Sequence, residues 1–218
     1  MFTMNKFWER IFYFLTWFFM GSSYLVPRAY AVMHRMHHTY SDTKEDPHSP
    51  HFFQDLMGMM KHTSKIYGDF VRKVSIPQPE FTNNLPEWEW LDKFGDSKVT
   101  RIAFGVIYSL IYLYIIFIMK AASPFFLLLL PIHYLMGPVQ GATVNWCGHK
   151  YGYRSFNTPD ESRNTEPFGF LLLGELFQNN HHQHPTSAKF SKKWFEFDLA
   201  FPVISVLSWI GVLKNVSK

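Results

Sequence analysis

The sequence predicts a mainly α-helical integral membrane protein, a helical hairpin in the bilayer under a cytosolic helical cap. Three observations predict it. A run of 18 uncharged residues, Ile102 to Met119, is long enough to bridge a hydrocarbon core of about 30 Å. A second apolar run begins only four residues later, at Pro124. Six of the 11 histidines gather into three tight groups outside these runs.

The composition agrees. Of 218 residues, 47% are hydrophobic and 19% aromatic, among them 23 Phe, while only 17% are charged. Such a chain is neither disordered nor collagen-like nor a coiled coil. The single Cys147 excludes intrachain disulfides and all-thiolate zinc or iron–sulfur sites. The net charge of +4 is spread among Phe and Trp, which fits an anionic membrane surface and not a nucleic-acid partner. We find no internal repeat and expect one domain over 1–218.

Taken in order along the chain, Phe7 to Val26 is apolar but carries Glu9 and Arg10 and is interrupted by Gly21-Ser22-Ser23, so it reads as an interfacial or re-entrant helix. No signal peptide is expected, because Met1 leads straight into this aromatic stretch. Residues 72–98, with Pro77, Pro79 and Pro86, read as a surface linker. The spans are expected at about 102–119 and 124–143, with Pro124 at a helix start and Pro131 and Pro138 as kinks. Of the 21 Lys and Arg, only Lys120 falls in the connection between them, so the common side of the hairpin is cytosolic by the positive-inside rule. Leu199 to Leu213 is too short to span and reads as interfacial.

On a helix, His37 and His38 flank His34 at about 60° and 40°, so all three project from one face. Asn145 and His149, four apart, also share a face. His181 and His182 point about 100° apart, an arrangement that suits two adjacent metals better than one. The topology puts all three groups at the cytosolic mouth of the hairpin. Imidazoles without thiolates suit zinc, iron, copper or nickel; the residues alone specify a multi-histidine metal centre and no more.

The segments HRMHHTYSDTKEDPHSP (His34 to Pro50), NWCGHKYGYRSF (Asn145 to Phe156) and GELFQNNHHQHP (Gly174 to Pro185) resemble, in order and spacing, the second histidine box, the late asparagine–histidine segment and the third histidine box of membrane fatty acid desaturases of the stearoyl, delta-9 acyl-CoA type. The resemblance runs over roughly residues 5–213. It implies two iron ions, O2 as oxidant, and a double bond introduced into a saturated fatty acyl chain. It also implies an acyl-CoA, other acyl thioester or acyl-lipid substrate, and a separate electron donor of ferredoxin, rubredoxin or cytochrome b5 type. His34, His37, His38, His149, His181 and His182 match the family's iron ligands, and Asn145 matches a position that holds a metal-bound water. No catalytic group beyond these ligands is expected, and substrate-binding residues stay unassigned.

The chain departs from the pattern in two places. Gln178 stands where the third box usually begins with histidine. Residues 1–33 contain no histidine, so the family's first box, HxxxxH, has no counterpart, and the chain resembles an N-terminally truncated member. The alternatives are an inactive truncated desaturase, a fatty acyl hydroxylase of the same superfamily and, least favoured, a metal transporter, which needs more ligands in the bilayer than His133. Outside the boxes, His48 and His184 are candidates to support the site or replace a missing ligand, while His51 and His62 read as surface residues. Asp42, Glu45 and Asp46 either orient imidazoles or solvate a loop. Arg154 reads as an anchor to lipid headgroups or to the phosphates of a thioester.

Overall fold

The computed structural model describes residues 1–217, with the backbone alone at Phe168. Helix α1 (Lys6–Met20) starts at Asn5, whose side chain accepts from the Trp8 amide at 3.0 Å. It stops at Gly21, whose φ of +51° ends the helical path. After a 3₁₀ turn (Gly21–Ser23), α2 (Pro27–Tyr40) opens with proline at its first position, where no amide proton is needed. Helix α3 (Leu56–Val71) is capped by Asp55. The corner between α1 and α2 forms the core: Tyr24, Val26 and Ala29 are buried against Trp17, Met20, Tyr67 and Phe70.

The expected linker 72–98 is not all loop, since it contains a 3₁₀ turn (Pro79–Phe81) and helix α4 (Glu89–Gly95). Its acids are the reason: Asp92 accepts hydrogen bonds from Tyr13 at 2.9 Å and Tyr24 at 2.7 Å, tying α4 to the α1–α2 corner.

Helix α5 (Lys98–Leu113) continues through a π turn to Ile118, and Lys98–Ile118 is long and apolar enough to cross a membrane. Ile102, Leu110, Tyr114 and Phe117 along it are exposed. Arg101 fixes its lower end by donating to the carbonyls of Ser22 at 2.8 Å and Tyr24 at 2.6 Å and to Asp96.

Over the expected second span, 124–143, the chain is helical but sharply broken, a bent pair that is apolar enough to be one broken span or a re-entrant loop. A 3₁₀ segment (Pro124–Leu129) leads into α6 (Leu130–Tyr134), and a 77° bend at Leu135 separates it from α7 (Met136–Lys150). Pro138 donates no hydrogen bond and its ring excludes a helical carbonyl four residues back, so the Tyr134 carbonyl is left over. Ser22 Oγ donates to that carbonyl at 3.0 Å, and Ser23 Oγ accepts from the Gly137 amide at 3.1 Å. The same Gly21-Ser22-Ser23 turn that interrupts α1 thus stabilises the break, and α7 is redirected toward the histidines.

Helix α8 (Gln178–Gln183) and α9 (Ala200–Trp209) complete the described residues, which contain isolated bridges, such as Thr3 with Lys214, and no longer strand. Six residues cannot hold a helix by propensity. Buried side chains hold α8 instead: Asn179 binds the amides of Ser155 and Phe156 at 2.8 Å each, and Asn180 binds Glu196 at 2.9 Å and Asn164 at 2.8 Å.

A Cβ on Gly21 would lie 1.8 Å from the Tyr108 hydroxyl, in a backbone conformation that side chains rarely adopt. Gly21→Ala is expected to lower stability by about 1–3 kcal/mol, seen as a reduced midpoint of unfolding in detergent. An unchanged midpoint contradicts this account of the turn.

Candidate metal centre

Helix α2 brings His34, His37 and His38 to one face, α7 brings His149 to its last turn, and α8 brings His181 and His182 between them. Ring nitrogens of His34, His38 and His181 lie within 4.8 Å of one another, as do those of His37, His149 and His182. The His38 Nε2 is 3.1 Å from that of His34 and 2.9 Å from that of His181, and the Nε2 atoms of His37 and His182 are 3.2 Å apart. Each adjacent pair, His37-His38 and His181-His182, is divided between the two triads, as the 100° separation leads one to expect. The triads adjoin, with ring centroids of His38 and His182 4.6 Å apart.

The proton positions follow from the partners. His37 Nδ1 lies 2.9 Å from Asp46, His149 Nδ1 2.7 Å from Asp42 and His182 Nδ1 2.6 Å from Asp160. Each carboxylate also accepts from elsewhere: Asp42 from the Glu161 amide and Ser49, Asp46 from the amides of Asp42 and His48, and Asp160 from Thr158 and Ser162. The imidazoles therefore donate through Nδ1–H, and their Nε2 atoms face one another as bare lone pairs. His149 Nε2 is buried with no hydrogen-bond partner. Converging lone pairs at 3.2 Å repel unless a cation lies among them, so the donor set fits a metal ion.

The titration behaviour points the same way. Burial, together with the neighbouring rings, pushes His34 down to about 4 and His38 to about 3, and holds His37 and His181 well below the ordinary imidazole value. Metal ligands must be neutral, and burial keeps them so. Burial raises the Asp46 carboxyl to about 7 despite its two amide donors. At Asp160 burial opposes ionisation, but the hydrogen bond and charge of His182 together with the Ser162 and Thr158 hydroxyls outweigh it and hold the carboxyl below the usual range.

The other predicted residues are placed as follows. Asn145 turns its amide back to the Gly141 carbonyl at 2.8 Å and lines an apolar crevice between α2, α3 and α7, beside His48, Met33, Met59 and Tyr67. His48 is buried with its ring 4.5 Å from His37 and, with His37 and Asp46, forms a third grouping of potential ligands. Gln178 is buried and donates to the Glu175 carbonyl at 2.6 Å. Its side chain fills the space beside Gly148, where a Cβ would come within 2.5 Å, so α7 and α8 approach only because residue 148 has no side chain. His184 is exposed against Phe156 and Glu45 is exposed. His51 reaches the His149 carbonyl at 3.2 Å. Arg154 is spent internally, on Thr158 at 2.7 Å and 2.9 Å, and so braces the loop that carries Asp160. His133 stacks on Tyr108 across the hairpin with centroids 4.1 Å apart. Asp160 is the residue that sequence reasoning missed. It lies 22 positions from His182 in a loop, and its one signal was an acid between two histidine segments.

Fold and site together define a helical protein with two adjoining imidazole triads set beside an apolar helix. The family model for fatty acid desaturases matches residues 1–206, and the chain belongs to that family. It is 29% identical over 199 residues to an sn-1 stearoyl-lipid 9-desaturase of Anabaena variabilis, covering 87% of this chain and 65% of the relative. It is 26% identical to a hex-5-enoyl-[acyl-carrier protein] acetylenase of Moorena producens (86% and 60% covered). A similar match, also at 26%, is to an acyl-CoA C20 Delta5-desaturase of Anemone leveillei (84% and 55% covered). The chain therefore spans between about half and two thirds of the length of these relatives.

The depressed imidazoles give a pH prediction for the metal-free chain. Their folded-state values lie below the ordinary imidazole value of 6.5, so the unfolded chain takes up protons first as pH falls. Stability is full above about 6.5 and declines progressively toward about 4 and below. Denaturant midpoints measured across this range check it, and a flat profile contradicts it.

Proposed function

We propose that the chain is the desaturating part of an acyl desaturase, with one iron held by His34, His38 and His181 and a second by His37, His149 and His182. The observation that carries this reading is the division of two adjacent histidine pairs between two triads, three of whose rings are backed by carboxylates. When bound, the iron pair supplies the O2 activation needed to break an unactivated C–H bond. The overall change is –CH2–CH2– plus O2, two electrons and two protons to –CH=CH– plus two waters, the electrons coming from a separate protein donor.

The chain's own residues do the positioning. Burial keeps the imidazoles neutral, and Asp42, Asp46 and Asp160 fix their tautomers. The crevice walled by Met33, Met59 and Tyr67 suits a saturated acyl chain and passes His48, whose ring lies tilted 4.5 Å from that of His37. Binding along such a chain sets which methylenes face the site. Asn145, in the same wall, is the residue we assign to a water at the metal. The relatives' names include lipid-, acyl-carrier- and CoA-linked substrates, and the reading requires only the acyl chain they share.

We place the chain in a membrane, with α5 as one limb of a multi-pass hairpin and the bent α6–α7 pair as the other. The exposed apolar residues of α5 support this, as does the position of Lys120 as the one basic residue in the connection. By the positive-inside rule the histidines then face the cytosol.

Incubation of the iron-loaded chain in lipid nanodiscs with stearoyl substrates, O2 and a chemical or protein reductant, followed by chromatography of the acyl products, tests the reading. The expected product is a mono-unsaturated chain, lost in His38→Ala and His182→Ala. Hydroxylated chains assign the related hydroxylase chemistry instead, and absence of turnover with iron bound contradicts catalysis by this chain.

A further inference from the structure

The two triads are built differently. This inference rests on the metal-centre reading above. His37, His149 and His182 each turn Nδ1 to an aspartate at 2.9, 2.7 and 2.6 Å, and their side chains are 2%, 0% and 2% exposed. Those aspartates are themselves fixed by backbone amides and hydroxyls, so they cannot swing away. Among the described residues, no carboxylate lies within bonding distance of the rings of His34, His38 or His181, and the Nδ1 of His181 is buried without any partner. The second triad is also the open one. His34 and His181 wall a crevice shared with Tyr30 and Glu175, and His38 walls another beside Arg35 and Glu80.

A carboxylate behind an imidazole does three things for a metal. It holds the ring in the one tautomer that ligates, it makes the far nitrogen more basic, and it offsets the charge of the incoming dication in a low-dielectric site. Loss of one such partner typically weakens metal binding by about 10–100-fold. Three partners on one side and none on the other make the sites unequal, and the partial exposure of His34 and His38 acts in the same direction by making release from the more buried position slower.

We infer that the two positions fill in order. The His37–His149–His182 position takes the first ion and holds it at least about tenfold more tightly, and the His34–His38–His181 position is the exchangeable one. Mild chelation then leaves a chain carrying one ion, and metal exchange from solution occurs at the crevice-side triad.

The test is titration of the metal-free 218-residue chain in detergent with Co2+, followed by the visible ligand-field bands and by metal analysis. Two uptake steps are expected, separated by at least about tenfold. Asp42→Asn and Asp160→Asn should each weaken the tight step by about 10–100-fold and narrow the gap, with the weak step and the far-UV circular dichroism unchanged. His34→Ala should remove the weak step alone. Should the aspartate variants lose helix, the His34→Ala titration decides by itself. Two indistinguishable steps in the unaltered chain, or loss of the tight step in His34→Ala, overturns the inference and leaves the metal-centre reading standing. Absence of any uptake overturns both.

Discussion

The structure depends on hydrogen bonds that run from imidazole Nδ1–H groups to buried carboxylates. Each fixes a tautomer, and with it the direction of an unshared lone pair. His37, His149 and His182 come from three helices distant in sequence, and nothing in their own local structure makes their rings converge. Asp46, Asp42 and Asp160 do; Asp46 and Asp160 are held in turn by amides of their own loops, and Asp42 by the Glu161 amide from the loop that carries Asp160. A folded chain that buries lone pairs aimed at one another is unstable by itself. The arrangement fits a site that a cation completes. The depressed imidazoles and the raised Asp46 are two expressions of that one constraint.

A second constraint is geometric. His149 must reach α2 from a segment that has just left the apolar hairpin, and a straight helix would carry it away. The bend at Leu135 solves this, and its cost in backbone hydrogen bonds is met by Ser22 and Ser23 from the turn that ends α1. Two features that look unrelated in the sequence, an interrupted apolar stretch near residue 21 and prolines in a second apolar run, are the two halves of one joint. The short helix α8 is held by similar means: buried asparagines and Gln178 replace the backbone cooperativity that six residues lack.

Much of this was legible in the sequence. Helical periodicity placed His34, His37 and His38 on one face, and the 100° step between His181 and His182 suggested that this pair would address two adjacent positions. The apolar helix expected from hydropathy over Ile102 to Met119 is found at Lys98–Ile118. What was not legible depended on tertiary partners. A proline in a membrane segment signals a kink but not its angle, which Ser22 and Ser23 set from more than a hundred residues away. Helix α4 looked like linker because its anchoring acid, Asp92, finds its tyrosines only in the fold. Arg154 read as an anion anchor because a free guanidinium and one committed to a loop look alike in sequence. Asp160 carried no spacing signal at all.

The central claim is that six imidazoles form two metal positions, and metal content tests it most directly. Elemental analysis of the chain purified in mild detergent from iron-replete cells, beside a His38→Ala control, should give about two irons per polypeptide in the unaltered protein and fewer in the control. Iron absent from both, or equal in both, would contradict the account.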